Sequence, residues 1–421
     1  MIDYFGMIFE TANIIRRISM KRFFVLLILF LLVAAPALAG GVTRVEGGIG
    51  PRGLALGGAY TAVADDVSAF YYNIAGLSQV EENFVQLGSE IIFPRFSYER
   101  PAGIFGAESE SKFVNIPMPM AGVIARLNDK LVFGLGSYMP FGLGVSNSES
   151  WRPGKNFRKS LLGLGNFTAA LAWQATDKLD LGLGLDFGYA QLIYKAPLHQ
   201  IGEAVFNPAF LKNEGDGFGA SFRLGARYRL NSKLTLGLSY SAPLKATLKG
   251  KTAVQLWGRP LFEDEFKTHV QFPARLSAGL AWQAGQRLKL VFDADWYPGQ
   301  PSGLRLDFKH LPTIVQKLDW QTNFSCHLGA EYRLNESWKL RGGLAYLTAA
   351  VPEITANPVI PDGLGYGLTF GAGWEKNGWT ADAALCYYLA DRRVERFTGN
   401  LMPGRYQMDG LVVSAAVGRK F

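Results

Sequence analysis

In stretch after stretch of about ten residues, apolar side chains alternate along this chain with small or charged ones. Between 218 and 230, Phe218, Ala220, Phe222, Leu224, Ala226, Tyr228 and Leu230 share one face, and Gly219, Ser221, Arg223, Gly225, Arg227 and Arg229 share the other. Leu179, Leu181, Leu183, Leu185, Phe187 and Tyr189 repeat the pattern against Asp180, Gly182, Gly184 and Asp186, and 272–282 repeats it again. Helical spacing would scatter these residues around an axis, so each stretch reads as a strand. After residue 40 no run approaches ~18 apolar residues, so no further helix is available to cross a bilayer. Strands cross one only as a closed barrel, because lipid leaves no backbone group without a partner. Apolar residues outside, with small or charged ones inside, are what such a barrel requires.

Lys21 and Arg22, the apolar run 23–35 and Ala37-Leu38-Ala39 form the three parts of a secretory signal. Met20 is its natural start, so 1–39 is expected to be a signal peptide with extra residues ahead of it, and the mature chain to begin at Gly40. Export combined with a barrel points to a bacterial outer membrane.

Tight turns fall at Asn128-Asp129, Thr176-Asp177, Asn231-Ser232, Gly285-Gln286, Asn335-Glu336 and Asn377-Gly378. Longer connections lie near 99–111, 146–158, 197–216, 250–267, 309–318, 351–362 and 395–404. Together they predict an all-β membrane protein, a fourteen-stranded antiparallel transmembrane β-barrel over 83–421. The strands are expected at 83–96, 112–126, 130–145, 159–175, 178–195, 217–230, 233–249, 268–283, 287–308, 319–333, 337–350, 363–375, 379–394 and 405–421. Tight turns belong on the periplasmic rim and long loops outside. The last strand ends at Phe421 with Val417, Ala415, Val413 and Leu411 on one face, a C-terminal signature of the kind read by the barrel assembly machinery. Trp173, Trp282, Trp296, Trp338, Trp374 and Trp379 sit near strand ends, where an interfacial girdle belongs.

Composition narrows the function. The formal charge is +8, but its 43 Lys and Arg are dispersed, which argues against a nucleic-acid partner. Two Cys and four scattered His, without metal-ligand spacing, argue against a metal centre or a disulfide framework. Cys326 and Cys386 fall on strands with two others between them, roughly 14 Å apart at ~4.8 Å per strand, so free thiols are expected. No Ser and acid surround His269 or His310 in a catalytic pattern, so neither enzyme activity nor a cofactor is expected. Inward charges at Asp186, Arg223, Arg227, Arg275, Asp293, Asp295, Arg341 and Asp382 are expected to line the wall.

Residues 40–82 do not alternate. They are rich in Gly and Ala and too short for a core of their own. They are expected to fold inside the barrel as a hatch, since a lumen of fourteen strands is wide enough to need filling.

The run 52–66, Arg-Gly-Leu-Ala-Leu-Gly-Gly-Ala-Tyr-Thr-Ala-Val-Ala-Asp-Asp, followed by Asn73-Ile74-Ala75-Gly76-Leu77, resembles the N-terminal hatch of FadL-like outer-membrane transporters. The likeness continues through Leu127 to Lys130, Pro140-Phe141-Gly142-Leu143, Gly215 to Gly219, Lys233 to Tyr240, Leu328 to Gly343 and Ile360-Pro361-Asp362. It implies passive uptake of long-chain fatty acids or similar hydrophobic molecules by a monomer set among outer-membrane lipids. Neutral aromatic hydrocarbons are the alternative cargo, and a polar porin is the alternative class. Substrate would settle on an outer-loop groove, pass to a lumenal pocket, and leave after a hatch rearrangement and through a kink in the third strand. By the same resemblance Asn73, Ile74, Ala75 and Gly76 gate the hatch, with Ile74 where the family usually has Pro. Phe141 and Gly142 form the kink, and Lys195 and Lys317 hold a carboxylate head group. Ile201, Val205, Phe206, Phe210, Leu211, Trp257, Leu261 and Phe262 are the apolar residues of the long loops that could form the groove.

Overall fold

A computed structural model describes residues 48–99, 109–110, 116–146, 159–197, 209–256, 259–299, 303–316, 318–356, 362–395 and 403–421. Numbered around the wall, β1 is Phe84–Glu99, β2 Ile116–Arg126 with an outer piece Ser109–Glu110, β3 Leu131–Ser146, β4 Lys159–Gln174, β5 Leu179–Pro197 and β6 Ala209–Arg229. β7 is Leu234–Ser241 and Leu244–Leu256, β8 Arg259–Phe272 and Arg275–Gln283, β9 Leu288–Tyr297 and Leu304–Phe308, and β10 Ile314–Gln316 and Asn323–Arg333. β11 is Trp338–Leu347, β12 Leu364–Lys376, β13 Trp379–Val394 and β14 Gly404–Lys420. β1 pairs with β14 from Phe84↔Lys420 to Glu99↔Arg405, so the fourteen antiparallel strands close without a free edge.

All six expected tight turns join neighbouring strands. At the last, Asn377 and Gly378 both take left-handed backbone (φ 52° and 74°), the geometry of a two-residue hairpin turn that matches strand twist. Leu185, Phe187, Leu238, Leu328, Leu344 and Phe370 stand exposed on the outer face, and Trp173, Trp282, Trp338 and Trp379 stand exposed beside the tight turns. Cys326 is exposed and Cys386 buried, and both are free thiols.

Two long connections differ from the sequence reading. Most of 250–267 and the second half of 197–216 are strand: β6, β7 and β8 continue outward as a paired ladder to Ala209, Leu256 and Arg259. Charges on this extension are mostly opposed by the other sign across strands, with Lys249 beside Asp216, Lys251 beside Glu214 and Glu265, and Lys267 beside Asp307, though Lys249 also faces Lys267. A ladder decorated this way stands in water, which is why its sequence reads as a polar loop.

The proline breaks in β7 and β8 have a larger effect. In the lower half of β7, Leu236 and Leu238 face lipid. Ala242-Pro243 then interrupts the strand, and Leu244, Ala246 and Leu248 are buried while Lys245, Lys249 and Lys251 are exposed. β8 does the same across Pro273-Ala274: Leu276 and Trp282 are exposed below, and Phe266, Val270 and Phe272 buried above. Proline lacks the N–H a ladder needs, so the strand bulges there and turns its other face inward. A stripe that meets lipid below thus meets the lumen above. β9, expected as one strand over 287–308, is two pieces, Leu288–Tyr297 and Leu304–Phe308, and β10, expected from 319, begins its main piece at Asn323 with a short outer piece Ile314–Gln316 inside the expected 309–318 connection.

Residues 48–82 lie within this wall. Pro51–Ala55 forms α1, started by proline at its first turn and ended by Gly57 (φ 68°) and Gly58 (φ 93°), whose amides return to Leu54 O and Gly53 O. Ala69–Tyr72 forms α2, and Ile74–Gln79 a 3-10 helix capped by Asn73. Leu54, Ala55, Ala59, Phe70 and Leu77 are wholly buried. Wall glycines make the room: a Cβ on Gly237 would lie 2.5 Å from Thr61 O, and one on Gly371 2.5 Å from the Ala55 Cβ. Gly343 offers no space because the Gly57 amide occupies it. Gly343→Val is therefore expected to weaken the seating of this segment by about 1–3 kcal/mol. Faster proteolysis of 48–82 in a barrel that still resists SDS would show it, and unchanged protection would contradict it.

Candidate functional site

The inward turn at the two proline breaks builds a greasy belt in the outer half of the lumen. Phe141, Leu164, Leu192, Leu244, Leu248, Phe266, Val270, Phe272 and Leu306 are all buried and in one contiguous cluster. Water-filled barrels are polar inside, so an apolar lumen marks a different cargo. Above it, a cleft enclosing about 510 Å³ of space is lined by Phe141, Pro273, Tyr297, Pro298, Trp320, Gln321, Asn323, Ala350, Val351 and Asp362. Phe141 belongs to both belt and cleft, and Trp320 packs against the belt from the cleft side. Among the described residues the lining carries no basic side chain, although Arg392 donates to the carbonyl of Val351, one of the lining residues. The lining carboxylate, Asp362, accepts the amides of Ala350 and Val351 at 2.6 Å each. The Trp320 indole N–H has no partner among the described residues.

Phe141 meets Phe272 edge-on, with ring centroids 5.1 Å apart. The contact joins β3 to β8 at the height of the breaks. β3 carries its own irregularity there: Tyr138 pairs with Asn166 and Phe141 with Leu164, leaving Met139-Pro140 opposite the single residue Gly165. Gly142 itself is back in the ladder, paired with Gly163, and no described atom lies within 4 Å of where its Cβ would stand.

Beneath the belt lies the upper face of the hatch. The Tyr71 carbonyl accepts Arg223 Nη1 at 3.1 Å and Arg275 Nη2 at 2.5 Å, and the Arg275 guanidinium sits 4.0 Å from the Tyr71 ring centroid. Asp186 holds Arg223 at 2.6 Å, and Asp295 faces Arg275 at 3.9 Å. Tyr138, at the bulge, donates its hydroxyl to Phe70 O at 3.2 Å. The β3 bulge, the belt and the enclosed segment 48–82 therefore meet within one set of contacts.

Lower down, Asp293 Oδ2 accepts the amides of Tyr60 and Thr61 at 2.8 and 2.7 Å. Arg227 Nε donates to Ala62 O, and Glu90 accepts the Gly50 amide. Arg341 spans Glu331 and Asp382 at 2.7 and 2.6 Å. In the hatch itself, burial pushes the Asp66 carboxyl above its ordinary range, against the pull of Arg52 and of Ser68, which donates both amide and hydroxyl to it.

The Asn73 side chain accepts the Ala75 amide at 3.1 Å and donates to Thr61 O at 2.8 Å and to Ala226 O on β6 at 3.0 Å, fastening hatch to hatch and hatch to wall. Ile74 packs on Gly182 and Gly184, and Gly76 is pressed against the Ala64 carbonyl. Lys195 is half-buried at the outer end of β5, between Lys159 and Lys212 in the ladder and in the register of outward Leu185 and Phe187. Lys317, Ile201, Val205, Phe206 and Trp257 lie outside the described residues. Phe210 and Leu211 are in β6 rather than a loop, paired with Pro197 and Ala196, and Leu211 is half-buried. Leu261 and Phe262 stand exposed at the outer tip of β8, remote in the strand from Phe272. Of the proposed loop residues that are described, none lines the cleft, and of the proposed kink Phe141 alone does. The cleft's other residues escaped the sequence reading, although Pro273 and Pro298 marked the strand breaks that create it.

Comparison with known proteins agrees with this architecture. The family described as "Outer membrane protein transport protein (OMPP1/FadL/TodX)" matches residues 30–421. A putative outer membrane protein of Neisseria meningitidis serogroup B is 23% identical over 346 residues, covering 68% of this chain and 72% of that one. Outer membrane protein P1 of Haemophilus influenzae is 23% identical over 343 residues, covering 70% and 75%. Among solved structures, a Pseudomonas aeruginosa FadL homologue superposes with a TM-score of 0.77 at 19% identity, covering 91% of this chain and all of that one. The Pseudomonas putida toluene transporter TodX gives 0.73 at 20% identity, covering 89% and 99%. With a closed fourteen-stranded wall, an enclosed N-terminal segment and a family match over nearly its whole length, the chain belongs to the OMPP1/FadL/TodX family of bacterial outer-membrane transport proteins.

Proposed function

We propose that the protein takes up hydrophobic molecules without a charged head group, compact and aromatic in preference to long acids. The apolar lumenal belt running from the cleft to the hatch carries this reading. Each buried CH₂ gains ~0.8 kcal/mol, enough to draw a hydrocarbon out of water with no energy input. Phe141, Tyr297 and Trp320 offer ring faces and edges, and the unpartnered indole N–H suits a weak acceptor such as a π face. Among the described lining residues a carboxylate would meet Asp362 and no cation. From the cleft, substrate passes Phe141 and Phe272, and the bulge at Met139-Pro140, where β3 leaves the ladder register, gives it a way out above a hatch held by Asn73.

One feature favours a second reading, fatty-acid uptake. Lys159, Lys195 and Lys212 form a row of bases across β4, β5 and β6. The two readings separate in cells of a host lacking such transporters. Radiolabelled toluene uptake is expected to rise on expression and to fall about tenfold with Trp320→Ala, while Lys195→Met leaves it unchanged. Oleate uptake that exceeds toluene uptake and collapses with Lys195→Met would establish the second reading. No gain for either compound would remove both.

A further inference from the structure

Four consecutive tight turns on the periplasmic rim are built as one repeated unit. In each, a basic residue directly precedes a strand: Lys130 before Leu131, Lys178 before Leu179, Lys233 before Leu234, Arg287 before Leu288. Each of those leucines pairs with an aromatic residue on the neighbouring strand, respectively Trp173, Tyr228, Trp282 and Tyr332. The four rings are exposed, at 40–48% of their surface. The residue after each ring donates its amide to the carbonyl of the basic residue at 2.8 Å, which fixes the spacing between charge and ring. All four basic residues are exposed. Two arginines brace the arc from the strand ends: Arg229 donates to Asp177 O and Arg333 to Gln286 O. Asp129 and Asp177 are the acids on these turns, so basic charge is in excess.

The remaining two turns keep the backbone arrangement and lose the charge at that position. Ser337 precedes Trp338 and Gly378 precedes Trp379, with Glu375 and Lys420 donating the equivalent amides. Turn geometry therefore does not require the lysines and arginine; the sixth turn places its bases elsewhere, with Lys376 paired to Trp379 and the Arg419 guanidinium 5.1 Å from that ring, and the repeated Leu–ring–base unit belongs to the β2–β9 side.

We propose that this arc binds anionic phospholipid of the periplasmic leaflet, the phosphate lying on the basic side chain and the glycerol and upper acyl chain on the adjoining ring. Aromatic rings settle at the headgroup level, and a nearby Lys or Arg strengthens attraction to an anionic surface about fivefold. A ring and a base spaced by a fixed backbone bond present both halves of a phospholipid with its two binding partners, four times side by side.

The test is lipid selectivity by electron spin resonance, with the full mature chain reconstituted in phosphatidylcholine vesicles carrying a trace of spin-labelled phosphatidylglycerol or phosphatidylcholine. The motionally restricted fraction is expected to favour phosphatidylglycerol several-fold, and the preference to shrink as salt rises. The fourfold variant K130Q/K178Q/K233Q/R287Q should bring the ratio to about one, and the double variant K130Q/K178Q to an intermediate value. The variant K245Q/K249Q/K267Q, on the outer extension, should keep the full preference. No preference in the parent protein, or one that survives both rim variants, overturns the proposal. A preference lost only with the outer lysines does so as well. Should the fourfold variant fail to insert, an unchanged ratio in the double variant is enough to reject it.

Discussion

Changing Arg223 and Arg275 together to alanine should convert a sealed lumen into a leaking one. Both guanidiniums converge on the Tyr71 carbonyl, and both stand against buried carboxylates, Asp186 and Asp295. Removing one partner of a buried ion pair costs about 3–5 kcal/mol because the other charge is left stranded. Here two carboxylates would be stranded beside the segment that fills the pore, and water entering past a displaced Tyr71 is the simplest relief. Planar-bilayer recordings should show steady ion conductance for the double variant and little for the parent protein. Adding Asp186→Asn and Asp295→Asn removes the stranded charges and should restore much of the seal. A double variant as tight as the parent would show that the clamp does not hold the hatch.

The other large effect is expected at Phe272. Phe272→Asn would place an amide in the belt, where no described neighbour is arranged to satisfy it, and would remove the edge-on contact with Phe141. An unsatisfied buried polar group costs about 1–3 kcal/mol, so a hydrophobic ligand passing this point should be slowed roughly 10- to 100-fold. Phe272→Leu keeps an apolar surface of similar reach and should stay within about threefold of the parent. Initial rates of toluene uptake at matched surface expression measure both. Equal rates for the asparagine and leucine variants would mean that cargo does not pass the belt.

The barrel was legible because its physics is local. Alternation in 178–195 or 272–283 and turn chemistry at Asn231-Ser232 or Asn377-Gly378 each depend on a few neighbouring residues, so strands and tight turns could be read one at a time. The greasy lumen was not legible for a reason visible in β7. Apolar residues keep to even positions from Leu236 through Leu248, and nothing in that rhythm tells that Pro243 exchanges the faces. The outer ladder of β6–β8 was missed because strands above a membrane obey the opposite rule, with lysines outside and leucines inside. Inward charges such as Arg223 and Arg275 were recognised as wall residues. Their shared target, the Tyr71 carbonyl, is a backbone atom, and side-chain identity does not reveal it. Asn73 stood out through its family resemblance, and the structure supplies the reason: two hydrogen bonds tie it into the hatch and a third reaches the Ala226 carbonyl of the wall.

The enclosed segment leads into β1 through only a few residues, from Val80 at the end of its 3-10 helix to Phe84. A stopper on so short a leash behaves as a ligand that cannot diffuse away. Its local concentration at its own cradle is on the order of 1 mM, so an intrinsic affinity of only ~10 μM would keep the passage occupied about 99% of the time. Prompt return after any departure then follows from chain connectivity alone, with no partner needed to close the passage again.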